Sequence, residues 1–67
     1  MVTVEETFGT DAGKVWKALS NNPSIPVDEI SKKVNLPPSR VYGALGWLAR
    51  EGKLVIEGTS VYKYKLR

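Results

Sequence analysis

Residues 41–53, VYGALGWLAREGK, read as a helix that runs without a linker into a strand, and the fold is decided by them. Val41, Ala44, Leu45 and Leu48 recur at i, i+3, i+4 and i+7, the spacing that gathers apolar side chains on one stripe of a 3.6-residue helix. That stripe is core. The opposite surface carries Ser39, Gly43, Gly46 and Arg50 within roughly 60° of one another at about 100° per residue, with Tyr42 and Trp47 on its flanks. Such a face is small and bare, and its composition sets the functional question.

Downstream, the period changes. Gly52 closes the helix, and Leu54-Val55-Ile56-Glu57, Gly58-Thr59-Ser60 and Val61-Tyr62-Lys63-Tyr64-Lys65-Leu66 read as strand, turn and strand. In the second strand Tyr62, Tyr64 and Leu66 share one face while Lys63, Lys65 and Arg67 share the other. Upstream, Val27 to Val34 reads as a helix with Asp28 and Glu29 in its first turn and Lys32 and Lys33 near its last, charges that suit the helix dipole at both ends. Asn35 suits the position just past that helix. Pro37-Pro38 cannot continue a helix but can begin one, because the missing N–H groups have no partner in a first turn. The third helix therefore starts near Pro38, and Asn35-Leu36-Pro37 joins a helix-turn-helix whose second member is the one normally offered to DNA.

A further helix precedes these, with Ala12, Val15, Trp16 and Leu19 at the same apolar spacing. Thr10 or Asp11 is expected to cap it, Trp16 to join the core, and Asn21-Asn22-Pro23 to end it. Val2 and Val4 alternate weakly and suggest a short N-terminal strand. The order is three helices followed by a β-hairpin, an α+β winged helix-turn-helix, expected to form a single domain over residues 1–67.

Composition narrows the chemistry. The chain has no cysteine and no histidine, so disulfides, thiolate or imidazole metal sites and Ser-His-Asp triads are excluded. The carboxylate pairs Glu5-Glu6 and Asp28-Glu29 are adjacent in sequence and point apart, so no enzyme chemistry, cofactor or metal is expected, and no small-molecule ligand is evident. No apolar run approaches the length of about 18 that spans a bilayer, and acidic Glu5 and Glu6 stand where a signal peptide would have lysine, which makes a cytoplasmic protein the expectation. A core of this size supplies about 3–5 kcal/mol, which keeps a homodimer in view. The net charge of +3 is unevenly spread. Residues 1–30 hold two bases and five acids, net −3, whereas residues 31–67 hold eight bases and two acids, net +6. A positive half of this kind suits a polyanionic partner, as it also suits a merely solvated surface.

The chain resembles a family of short, stand-alone winged helix-turn-helix domain proteins of undefined function, most specifically in AGKVWKAL from Ala12 to Leu19 and GALGWLAREGK from Gly43 to Lys53. The broader winged-helix repressors share Val-Tyr-x-Ala-Leu-x-x-Leu-x-x-x-Gly, filled here by Val41, Tyr42, Ala44, Leu45, Leu48 and Gly52. The resemblance implies a DNA-binding domain, such as a transcriptional regulator, or a protein-interaction module. Gly43, Gly46 and Trp47 stand where those repressors place long polar side chains. Base reading would then fall to Ser39, Arg40, Tyr42 and Arg50, and phosphate contact is easier to support.

Arg40, Arg50, Lys53, Lys63, Lys65 and Arg67 are the expected phosphate contacts on duplex DNA, flanked by Lys32 and Lys33. Four to six such contacts give a slope of log K against log salt near −4 to −5. The alternative is a docking face of Gly43, Gly46 and Trp47 for a protein partner or a second copy. Two glycines in an exposed helix cost about 1 kcal/mol each relative to alanine, so something is expected to approach them. The N-terminal segment or the wing of the same chain is also a candidate. Trp47 suits core and interface equally, and Tyr42, Tyr62 and Tyr64 suit base stacking or, more commonly, cross-strand packing.

Overall fold

A computed structural model of the chain describes residues 3, 5–21, 24–58 and 60–67. Of the expected N-terminal strand, Val2 and Val4 lie outside the described residues. The segment beyond them is helical. The Thr3 hydroxyl oxygen accepts a hydrogen bond from the Glu6 amide at 3.0 Å, and the Thr3 carbonyl accepts one from the Thr7 amide at 3.1 Å. Threonine three residues before glutamate is a helix-start signature, and here it initiates a π-helical turn over Glu5–Gly9. Helix α1, Thr10–Ser20, continues from that turn because Gly9 already has helical dihedrals (φ −63°, ψ −42°). Neither Thr10 nor Asp11 caps it, since the chain enters α1 already helical. It ends at Asn21, and Asn22 and Pro23 lie outside the described residues.

Helices α2, Val27–Val34, and α3, Pro38–Arg50, begin after extended Pro26 and Pro37. Asn35 takes the left-handed conformation (φ 56°, ψ 46°), and the amides of Asn35 and Leu36 both return to the Ser31 carbonyl. At the end of α3 the Gly52 amide donates to the Ala49 carbonyl and the Lys53 amide to the Leu48 carbonyl, each at 3.0 Å. This pair of bonds is a Schellman close, and it needs the positive φ of +72° that Gly52 adopts. The chain therefore turns sharply into the hairpin.

Strands β1, Leu54–Glu57, and β2, Lys63–Leu66, pair antiparallel, with Leu54 opposite Leu66 and Glu57 opposite Lys63. Ile25 adds a third, one-residue member. Its amide donates to the Tyr64 carbonyl at 3.1 Å and receives the Tyr64 amide on its own carbonyl at 2.8 Å. The wing is thereby fastened to the segment between α1 and α2.

Val15, Leu19, Ile30, Val41, Ala44, Leu45 and Leu48 fill the core between the three helices, and Tyr64 closes it from the wing. Trp16 does not join them. It is 45% exposed, because the buried side of α1 is centred on Asp11, Val15 and Leu19, which leaves Trp16 at the rim. Among the described residues no helix is long and apolar enough to cross a membrane.

Candidate nucleic-acid interface

Helix α3 shows less bare surface than its sequence suggests, because the N-terminal π-turn lies against it. A Cβ placed on Gly43 would overlap the Phe8 ring, whereas one placed on Gly46 would meet nothing within 4 Å. The glycines therefore have different surroundings. Gly43 admits an aromatic ring of its own chain, and of the two only Gly46 is open. Trp47 is half-buried against the core, with Gly9 alongside it. Gly43, Gly46 and Trp47 consequently do not form one flat docking face, and the open strip of α3 is Ser39, Tyr42, Gly46 and Arg50.

Asp11 is the other unexpected occupant of this region. Its carboxylate is fully buried in the first turn of α1 and is met by Arg40 in the first turn of α3. Arg40 Nε donates to Oδ2 and Nη2 to Oδ1, both at 2.8 Å. Two parallel charge-assisted bonds of this kind fix orientation as well as supplying energy. The hydrogen bond to Asp11 raises the Arg40 pKa further above its ordinary value. Arg40 thus serves first as a bolt between α1 and α3. Its side chain remains 46% exposed.

The other predicted cations fall into three settings. The Arg67 amide donates to the Lys53 carbonyl at 3.0 Å, which brings these two residues together at the base of the hairpin. Arg50, in the last turn of α3, precedes Lys53 by one tight turn. Lys63 is exposed on β2, and Lys65 reaches across the strand pair to Glu57 with Nζ–Oε2 3.5 Å. Among the described residues, Arg50, Lys53, Lys63 and Arg67 make no ion pair. Lys32 and Lys33 are exposed on α2, but Lys33 lines a cleft with Lys14 and Lys17 to which neither α3 nor the hairpin contributes. It does not flank the α3 surface as its sequence position implied.

Between α3 and the wing lies a cleft of about 260 Å³. Tyr42 lines it from α3, and Tyr62 and Tyr64 line it from the wing. Burial pushes the Tyr64 phenol up from its ordinary pKa, and the neighbouring Tyr42 and Tyr62 add to the shift. Tyr64 packs into the core while Tyr42 and Tyr62 are 57% and 54% exposed. The three tyrosines are not equivalent cross-strand packers.

Several of these placements depend on pairs far apart in the chain. Asp11 and Arg40 are 29 residues apart, Phe8 meets Gly43, and Tyr42 shares a cleft with Tyr62, so no local spacing announces them. The Ile25 bridge carried one weak signal, a lone apolar residue between Pro23 and Pro26.

The family described as Winged helix-turn-helix domain (DUF2582) matches residues 3–65. Protein BT2368 from Bacteroides thetaiotaomicron, solved in solution by NMR, is similar at 38% identity and a TM-score of 0.89, over 96% of this chain and 79% of that one. The Zα domain of PKZ from Carassius auratus, solved in complex with Z-DNA, is similar in fold at 20% identity and a TM-score of 0.81, over 90% of this chain and 97% of that one. No curated protein sequence matches the chain.

Proposed function

The chain belongs to the winged helix-turn-helix family that matches residues 3–65, and from that premise we propose that it binds duplex DNA mainly through the phosphate backbone. The observation that carries this reading is a set of cations, unpaired among the described residues, that runs from the end of α3 along the hairpin. Lys53 and Arg67 are joined through the backbone, Arg50 ends the helix beside them, and Lys63 extends the charge along the wing. Phosphate oxygens match such a set because cations neutralise them without needing base-specific geometry. That a domain of the same fold occurs on nucleic acid in the Zα complex supports the reading at the level of fold.

Sequence preference is weak in this picture. Gly46 offers no side chain to a base edge, and Arg40 is committed to Asp11, which leaves Ser39, Tyr42 and Arg50 to face the major groove. A transcriptional regulator built this way acts by occupancy more than by reading a long site.

A salt-dependent titration of a random-sequence duplex, followed amide by amide with NMR, tests the proposal. Four phosphate contacts give a slope of log K against log salt of about −3.6, shallower than a count of all six expected cations implies, because Arg40 and Lys65 are already paired. Shifts are expected in α3 and the hairpin. Lys63→Glu weakens binding, and Gly46→Arg, which adds a cation on open surface, strengthens it. Absence of shifts at low salt would overturn the proposal.

A further inference from the structure

We infer that the tyrosine cleft between α3 and the wing is a stacking site for one unstacked nucleobase of the bound nucleic acid. The inference rests on the DNA-binding reading and adds a second kind of contact to it. Tyr42 and Tyr62 are large aromatic side chains left more than half exposed, one on each of the two elements that carry the phosphate-binding cations. Neither is needed to close the core, which Tyr64 does. Exposed aromatic rings on a basic surface are the usual platform for bases, since every base has a π-face.

The lining of the cleft decides between a base and a phosphate. Among the described residues it contains no lysine or arginine, and Asp28, from the first turn of α2, is its only charged group. An anionic carboxylate repels a phosphate. It accepts a hydrogen bond from the exocyclic amino group of adenine, cytosine or guanine, so the occupant favoured here is a neutral, flat, amino-bearing ring. Pro26 and Val61 complete the walls with apolar surface. A base reaches such a cleft from a bulge, a mismatch or a strand end, where leaving the stack costs least.

The test uses two duplexes of the same sequence, one fully paired and one carrying a single bulged 2-aminopurine in place of adenine. The bulged duplex is expected to bind roughly tenfold more tightly, as the gain from stacking one base implies, and its fluorescence to fall on binding. Tyr42→Ala and Tyr62→Ala should each remove the preference and the quenching, and Tyr62→Ala should do so while leaving the affinity and salt slope of the fully paired duplex unchanged. Tyr42→Phe, which keeps the ring, should retain both. Equal affinity for the two duplexes, or a preference that survives both alanine variants, would overturn the inference and leave the backbone-binding reading standing. Failure of the fully paired duplex to bind at low salt counts against the backbone reading instead. A single-stranded oligonucleotide containing 2-aminopurine then decides the cleft, by quenching that depends on Tyr42 or by none.

Discussion

Gly43 and Gly46 are the same residue type three positions apart on one helix, yet substitution should have opposite effects at the two. Gly46 borders open space, so Gly46→Ala gains helix propensity with nothing to displace and should stabilise the fold by about 0.5–1 kcal/mol. At Gly43 the same gain is opposed by collision with the Phe8 ring, and overpacking of this kind costs about 1–3 kcal/mol, so Gly43→Ala should lower stability. Urea unfolding midpoints measure both. In a Phe8→Ala background the penalty at Gly43 should vanish, and if it persists the ring is not its cause. Asp11 makes a similar point about context. A residue that reads as a helix cap is instead a buried anion, acceptable in the interior only because Arg40 meets both of its oxygens.

Among the elements, the wing is held to the helices chiefly through Tyr64, with Leu54 and Leu66 packed against the core beside it. Tyr64 pairs with Ile56 in the hairpin, bridges to Ile25 and seals the core with its ring. Burial favours the neutral phenol, so its pKa is higher in the fold than in the unfolded chain. The corresponding stability is fully present below the unfolded value of about 10 and is lost as pH rises through the folded value. As pH rises above about 10 the protein should therefore lose stability, and Tyr64→Phe, which has no proton to release, should lose less over the same rise. An equal loss in the two proteins would place the alkaline sensitivity elsewhere. Gly58 also constrains the wing: its φ is +99°, and a Cβ there would run into the Val61 carbonyl oxygen.

Across the whole molecule, the charge asymmetry between the two halves of the sequence becomes two separate basic regions. One joins the end of α3 to the hairpin, and the other is the Lys14, Lys17 and Lys33 cleft between α1 and α2. Removing three charges from either changes the net charge equally. If binding follows position and not total charge, Lys14→Gln, Lys17→Gln and Lys33→Gln combined should leave the salt slope for duplex DNA within about one unit of its value. Arg50→Gln, Lys53→Gln and Lys63→Gln combined should reduce it to about −0.9, the contribution of one remaining contact. Similar slopes in the two triple variants would mean that the net field of the protein governs binding.

The helices, the hairpin and their order were legible in the sequence because each rests on local rules. Apolar spacing marks the stripes of α2 and α3, Pro38 fits a first turn, and Asn35 and Gly52 supply the left-handed residues that end helices. The same rules assigned no element to Glu5–Gly9, where the cap signal of Thr3 and Glu6 precedes a helical turn. The surface offered to a partner was a tertiary matter. Which glycine is covered, which arginine is already paired and which tyrosines meet in a cleft depend on contacts between Phe8 and α3, Asp11 and Arg40, and α3 and the wing. Those contacts join residues distant in sequence, and periodicity describes only how a residue faces along its own helix or strand. Local spacing therefore determined the elements of this protein, and packing between them decided what its binding face exposes.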